Sequence, residues 1–214
     1  MKKPLLFLFA CSLYSTIIFG QQDATATKIL DGVTAKYKTY STVKATFSTK
    51  VEDSQNKVTD QQNGTFYLKG QSFRIEMTNQ IITCNGTTIW TYLKKSNEVT
   101  ISDYEPDPDD ITPDKIFTIY QKDFIYSYKN ESTSNGVVYQ NIDLSPIDKS
   151  KPFFKVSLTI DKSNKTISSA KIFDKNQNKY TYNITALSPN VTLADAFFSF
   201  DTSKYAGIKI TDLR

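Results

Sequence analysis

Residues 64–93, GTFYLKGQSFRIEMTNQIITCNGTTIWTYL, decide the fold class. Gly64–Gly70 is a short apolar run closed by glycines at both ends. Phe73-Arg74-Ile75-Glu76-Met77 alternates strictly, which places Phe73, Ile75 and Met77 on one side of a strand. Gln80–Cys84 and Thr87–Leu93 flank Asn85-Gly86, the strongest short hairpin signal in the chain. Period-two runs broken by turn residues describe an antiparallel meander.

Working outward, the same rhythm continues. Val43–Val51 is a further alternating run, and the polar stretch Asp53–Asn63 reads as a hairpin tip. Before it the period changes. In Thr25–Tyr40, Ile29, Val33 and Tyr37 fall at i, i+4 and i+8 with Leu30 beside them, which predicts a helix capped by Asp23 or Thr25. Downstream, Glu98–Ser102 is a strand, followed by the acidic, proline-containing loop Asp103–Asp110. Thr112-Pro113-Asp114-Lys115 carries the signals of a helix start, with Ile116, Phe117, Ile119 and Tyr120 as its apolar side. Strands resume at Phe124–Lys129, Val137–Leu144, Phe153–Ile160, Thr166–Phe173 and Lys179–Leu187, with turns at Asp161–Lys165 and Asp174–Asn178. Ala196–Phe200 and Ile208–Ile210 close the chain. A single sheet of about ten strands must curl, split or close. The expected fold is therefore mainly β, a curved antiparallel sheet with helices on its concave side, the segment at Thr112–Tyr120 serving as a movable helical lid.

The ends and the composition set the class. Lys2 and Lys3 followed by the apolar run Pro4–Phe19 and by Gly20 read as a secretory signal, residues 1–20, cleaved near Gly20. Leu8-Phe9-Ala10-Cys11 faintly resembles a lipobox, but Phe9 is bulky and the apolar run continues past Cys11. Residues 21–214 are then one exported, periplasmic domain, large enough to bury roughly 70% of its unfolded surface. Loss of Lys2 and Lys3 takes two charges from the formal +4, and the remaining lysines are interleaved with acids, so no nucleic-acid partner is implied. The chain has no histidine, which removes Ser-His-Asp and Cys-His catalysis and His-ligated metals. Cys84, alone after the signal is removed, sits at a strand end and suits a small buried hydrophobe.

Two constellations carry functional readings. Asp103, Glu105, Asp107, Asp109 and Asp110 alternate as calcium ligands do, but the loop has no glycine for the sharp turn and holds Pro106 and Pro108. A solvated loop entering a helix is the plainer reading, with a surface for a basic partner next. A carboxylate-dependent hydrolase needs those acids to converge in a cleft. The second constellation is aromatic. Phe66, Leu68, Phe73, Ile75, Met77, Trp90 and Tyr92 line either an ordinary β-core or an apolar cavity for lipid, with Ile116, Phe117, Ile119 and Tyr120 closing it.

Six segments in order resemble the outer-membrane lipoprotein carrier family, LolA, in a Bacteroidetes-like form. They are ILDGVTAKYKTYSTVKATF, GTFYLKGQSFRIEM, IITCNGTTIWTYLKKSNEVTI, ITPDKIFTIY, FFKVSLTIDKSNKTISSAKIFDKNQNKYTYNI and FFSFDTSKYAGIKITDLR. The hairpin NG-x-x-x-W-x-Y and the late strand run are the most specific. The resemblance implies a half-closed β-barrel with a helical lid and a cavity for lipoprotein acyl chains. It implies a monomeric carrier, not an enzyme, without cofactor or metal, passing cargo from an inner-membrane lipoprotein-releasing complex to an outer-membrane acceptor. Phe73, Ile75 and Met77 match the family strand that faces the cavity, and Lys69 or Gly70 stands where proteobacterial members carry an arginine. A lipid-binding sensor or structural module on the same fold is the alternative. Each sheltered methylene is worth about 0.8 kcal/mol, so acyl chains need an escort across water, and the escort's states must differ by little for release.

Overall fold

The computed structural model describes residues 23–105 and 123–214. Helix α1 spans Ala24–Tyr37 and buries Ala26, Leu30, Val33 and Tyr37, one stripe at helical spacing. Asp23 is the cap: its side chain accepts from the amides of Thr25 and Ala26.

Twelve strands follow: β1 Val43–Glu52, β2 Val58–Lys69, β3 Ser72–Met77, β4 Gln80–Cys84, β5 Thr88–Leu93, β6 Glu98–Asp103, β7 Phe124–Ser134, β8 Val137–Pro146, β9 Phe153–Asp161, β10 Thr166–Asp174, β11 Lys179–Pro189 and β12 Lys209–Asp212. They form one sheet in the order β12-β6-β5-β4-β3-β2-β1-β11-β10-β9-β8-β7. Two meanders, β1–β6 and β7–β11, are thus joined at their middle by the antiparallel pair β1–β11. Laid flat, such a sheet is about 50 Å wide, whereas the helix is about 21 Å long. The sheet is curved and stays open.

Pairing register sorts every strand residue onto one of two faces. The inner face, which carries α1, includes the rows Val43–Leu68–Phe73–Cys84 and Ala45–Phe66–Ile75–Ile82. On the β7–β10 half the helix buries Phe124, Ile142, Leu144, Val156, Leu158 and Ile160 in a common core, with Phe66 and Leu68 packed at its margin. The outer face of that half is mostly polar, with Phe173 beside Lys155 and Lys171 as an exception. Ser157 donates to Asp143, Thr159 to Asn141 and Ser169 to Asn183, and Lys171 pairs with Glu52.

The outer face of the other half is covered instead by the chain end. After β11 a 3₁₀ turn at Asp195–Phe198 and another at Thr202–Lys204 lead to β12, which runs parallel to β6. Phe200 and Tyr205 stack at 4.7 Å and both lie against Tyr92, at 5.2 and 4.5 Å. Ile81, Val99 and Ile101 complete this second core.

Two local expectations change. The hairpin tip is Asp53–Lys57, not the whole of Asp53–Asn63. Asp53 organises it, accepting from the amides of Gln55 and Lys57, and the residues from Val58 onward pair with β1 through their backbones. Asn85-Gly86 does join two strands, but as a wider turn in which the Asn85 side chain accepts from the amides of Thr87 and Thr88. The Asn-Gly pair that forms a two-residue turn is Asn135-Gly136, where both residues have positive φ, 50° and 77°. The expected helix Thr112–Tyr120 and the acidic residues after Glu105 lie outside the described residues.

Candidate lipid-binding face

The inner face continues beyond the reach of α1. Its floor there is built from directly paired side chains on β1–β4: Phe66 opposite Ile75, Ile75 opposite Ile82, Leu68 opposite Phe73, and Gly64 opposite Met77. Gly64 has a reason to lack a side chain. A Cβ there would lie 2.6 Å from Cζ of Phe47 and 2.9 Å from the carbonyl oxygen of Glu76, so the Phe47 ring lies across the glycine. Phe47, Phe66, Leu68, Ile75, Met77, Ile82 and Ile184 all remain partly exposed. Phe73 differs from its row-mates: it is 2% exposed and meets Tyr104 edge-on at 5.5 Å.

Five of the expected lining residues therefore share this face: Phe66, Leu68, Phe73, Ile75 and Met77. Trp90 and Tyr92 do not. Trp90 pairs with Thr83 and Ile101, and Tyr92 with Ile81 and Val99, all in outer-face rows. Tyr92 is 7% exposed, lies under Phe200 and Tyr205, and its hydroxyl donates to Asn97. Strand β5 is covered on its outer face by the chain end, so its aromatics belong to a core rather than to the floor. Ile116, Phe117, Ile119 and Tyr120 lie outside the described residues.

Lys69, with Gly70 a candidate for the family's basic position, is on the outer face too. Its ammonium donates to the Leu193 carbonyl at 3.0 Å and to Asp195 at 2.7 Å, holding the carboxyl of Asp195 below its ordinary pKa range. Beside it Phe197 packs on Tyr67 at 4.8 Å, with the Arg74 guanidinium 5.1 Å from its ring. This lysine fastens the chain end to the sheet.

Sequence reasoning missed Phe47, Ile82, Tyr182 and Ile184. Val43, Ala45, Phe47, Thr49 and Val51 alternate without a break, a signal sufficient to place Phe47. On β11 the register shifts opposite Thr46 and Phe47, which puts Leu187 out of step with Ile184 and hides the common face.

Cys84 is fully buried, and its sulfur accepts from the Gly86 amide at 3.3 Å. Among the described residues no cluster of Cys, Asp or Glu is placed to hold a metal ion. The face can do what apolar surface does, which is to take hydrocarbon out of water.

The model of the family described as outer membrane lipoprotein carrier protein LolA matches residues 38–201. No curated protein matches the chain in sequence. Among solved structures, an uncharacterized conserved protein from Thermus thermophilus superposes with a TM-score of 0.58 at 14% identity, over 88% of this chain and 99% of that one. The Mycobacterium tuberculosis lipoprotein LppX superposes with a TM-score of 0.50 at 8% identity, over 81% of this chain and 100% of that one. A LolA superfamily protein from Nitrosomonas europaea gives a TM-score of 0.42 at 12% identity, over 82% and 97%. At these identities the likeness is one of fold.

Proposed function

The chain belongs to the outer membrane lipoprotein carrier protein LolA family, and from that premise we propose that it is a periplasmic carrier that shelters lipoprotein acyl chains against its inner face. The observation that supports this most is the partly exposed apolar floor of Phe47, Phe66, Ile75, Met77 and Ile82 on the face that also bears the helix. Apolar side chains that share one sheet face and stay partly exposed are what a hydrocarbon-binding surface requires. A sixteen-carbon chain fully sheltered from water would gain at most about 12 kcal/mol, and one laid on the face gains a part of that. Weak, non-directional contacts suit a carrier, because many acyl chains fit and none is held by a bond that must be broken.

In this reading the signal at residues 1–20 directs export, the donor is an inner-membrane releasing complex and the acceptor lies at the outer membrane. The test is transfer. Inner membranes bearing a labelled lipoprotein and the releasing complex are incubated with the purified chain. Appearance of a soluble complex of lipoprotein and carrier, absent with the unacylated lipoprotein, is the expected result. Acyl-lipid binding without release of lipoprotein would favour a lipid-binding sensor or structural module instead.

A further inference from the structure

Tyr182 lies on β11, next to β1 at the centre of the sheet, and pairs with Thr49 on β1 and Ala170 on β10 within an inner-face row. These small neighbours leave its ring standing clear, 37% exposed. Burial, and then the nearby Tyr180, nonetheless push its phenol pKa up. Its ring is thus open to a ligand on the inner face of the curved sheet while its neighbours partly shield it from water. Three tyrosine hydroxyls are committed within the protein: Tyr37 accepts from the Ile167 amide, Tyr92 donates to Asn97 and Tyr180, beside Tyr182 on the same face, donates to Asp174. The hydroxyl of Tyr182 makes no hydrogen bond to a described residue.

The charges around it narrow the ligand. Among the described residues, the inner-face rows that run from β4 through β1 and β11 to β8 carry no lysine or arginine. Lys44, Lys50 and Lys171 occupy outer-face rows. A carboxylate or phosphate drawn onto these rows would be dehydrated with no strand lysine or arginine to meet it, a large cost. A neutral carbonyl oxygen needs only a donor.

Resting on the acyl-binding reading above, we propose that Tyr182 is a ligand-contacting, specificity-determining residue: its hydroxyl donates to the carbonyl oxygen of an ester- or amide-linked acyl chain, so the inner face takes neutral acyl groups and rejects free fatty-acid anions. The shared chemistry is the acyl carbonyl, whether on a lipoprotein or on a glycerolipid.

The test uses the mature chain and its Tyr182→Phe variant, with the uncharged dye N-phenyl-1-naphthylamine displaced by dioctanoylglycerol, methyl decanoate or sodium decanoate at pH 8. Loss of one hydrogen bond is expected to weaken dioctanoylglycerol binding about five- to tenfold in the variant, with dye affinity unchanged. Decanoate is expected to displace the dye far less effectively than its methyl ester. Equal diacylglycerol affinity in the two proteins, or equal displacement by decanoate and its ester, overturns the proposal. Failure of the unaltered chain to bind either dye or diacylglycerol overturns the acyl-binding reading itself, and this proposal with it.

Discussion

Asp23 joins helix α1 to strand β7 through Tyr128. One carboxylate oxygen of Asp23 accepts from the amides of Thr25 and Ala26, at 2.9 and 3.1 Å, and the other accepts from the Tyr128 amide at 2.9 Å. The helix that closes one half of the sheet is thus capped and tethered by one side chain. The amides of Ala26, Tyr128 and Thr25 hold this carboxyl below the usual aspartate range. A depressed folded-state pKa contributes stability above the unfolded value, near 4, that is lost as pH falls through the folded value. Asp23→Ala is expected to lower Tm by about 2–4 °C at pH 7. The gap between the two proteins should narrow as pH falls below about 4, as thermal melts followed by circular dichroism will show.

A side chain at Gly64 disturbs the floor from beneath. Gly64→Ala is expected to destabilise by about 1–3 kcal/mol in urea titrations, because the new Cβ meets both Phe47 and backbone. Adding Phe47→Leu should recover only part of the loss, since the Glu76 carbonyl oxygen, 2.9 Å away, cannot move aside. Full recovery would show that the ring alone sets the constraint.

Charge on the inner face should separate folding from binding, and position decides which. Phe73, at 2% exposed, leaves a glutamate no route to water, so Phe73→Glu is expected to cost about 3–5 kcal/mol and to unfold much of the protein. Met77 lies in the same face but is partly exposed. Met77→Glu should keep a cooperative melt and lose most acyl binding, read by dye displacement.

The opposite outcome is expected on the outer face. Phe200 is 7% exposed between Tyr92 and Tyr205. Phe200→Ala should cost about 3–5 kcal/mol, by urea titration, while the folded fraction binds acyl ligand with unchanged affinity. A change in affinity would mean that the chain end reaches the binding face.

The strands were legible because period-two alternation and asparagine- or aspartate-rich turns are local signals. Phe73, Ile75 and Met77 announced their common face in five residues. Trp90 and Tyr92 misled because alternation says that two residues share a face but not what covers it. That depends on a segment more than a hundred residues later, Phe197–Tyr205, which no local pattern connects to β5. The Asn-Gly pairs show the same limit. Asn85-Gly86 and Asn135-Gly136 both join strands, yet only the second is the two-residue turn. Asn63-Gly64 lies inside β2, where Phe47 crosses it.

Whether the inner face carries acyl chains is decided most directly by mass spectrometry of the chain purified from the exported fraction of cells without detergent. A soluble protein carrying acylated cargo is expected, and the same protein with Met77→Glu should carry much less. A bare chain that also fails to take up a synthetic triacylated lipopeptide, or cargo equally abundant in the variant, would contradict acyl carriage by this face.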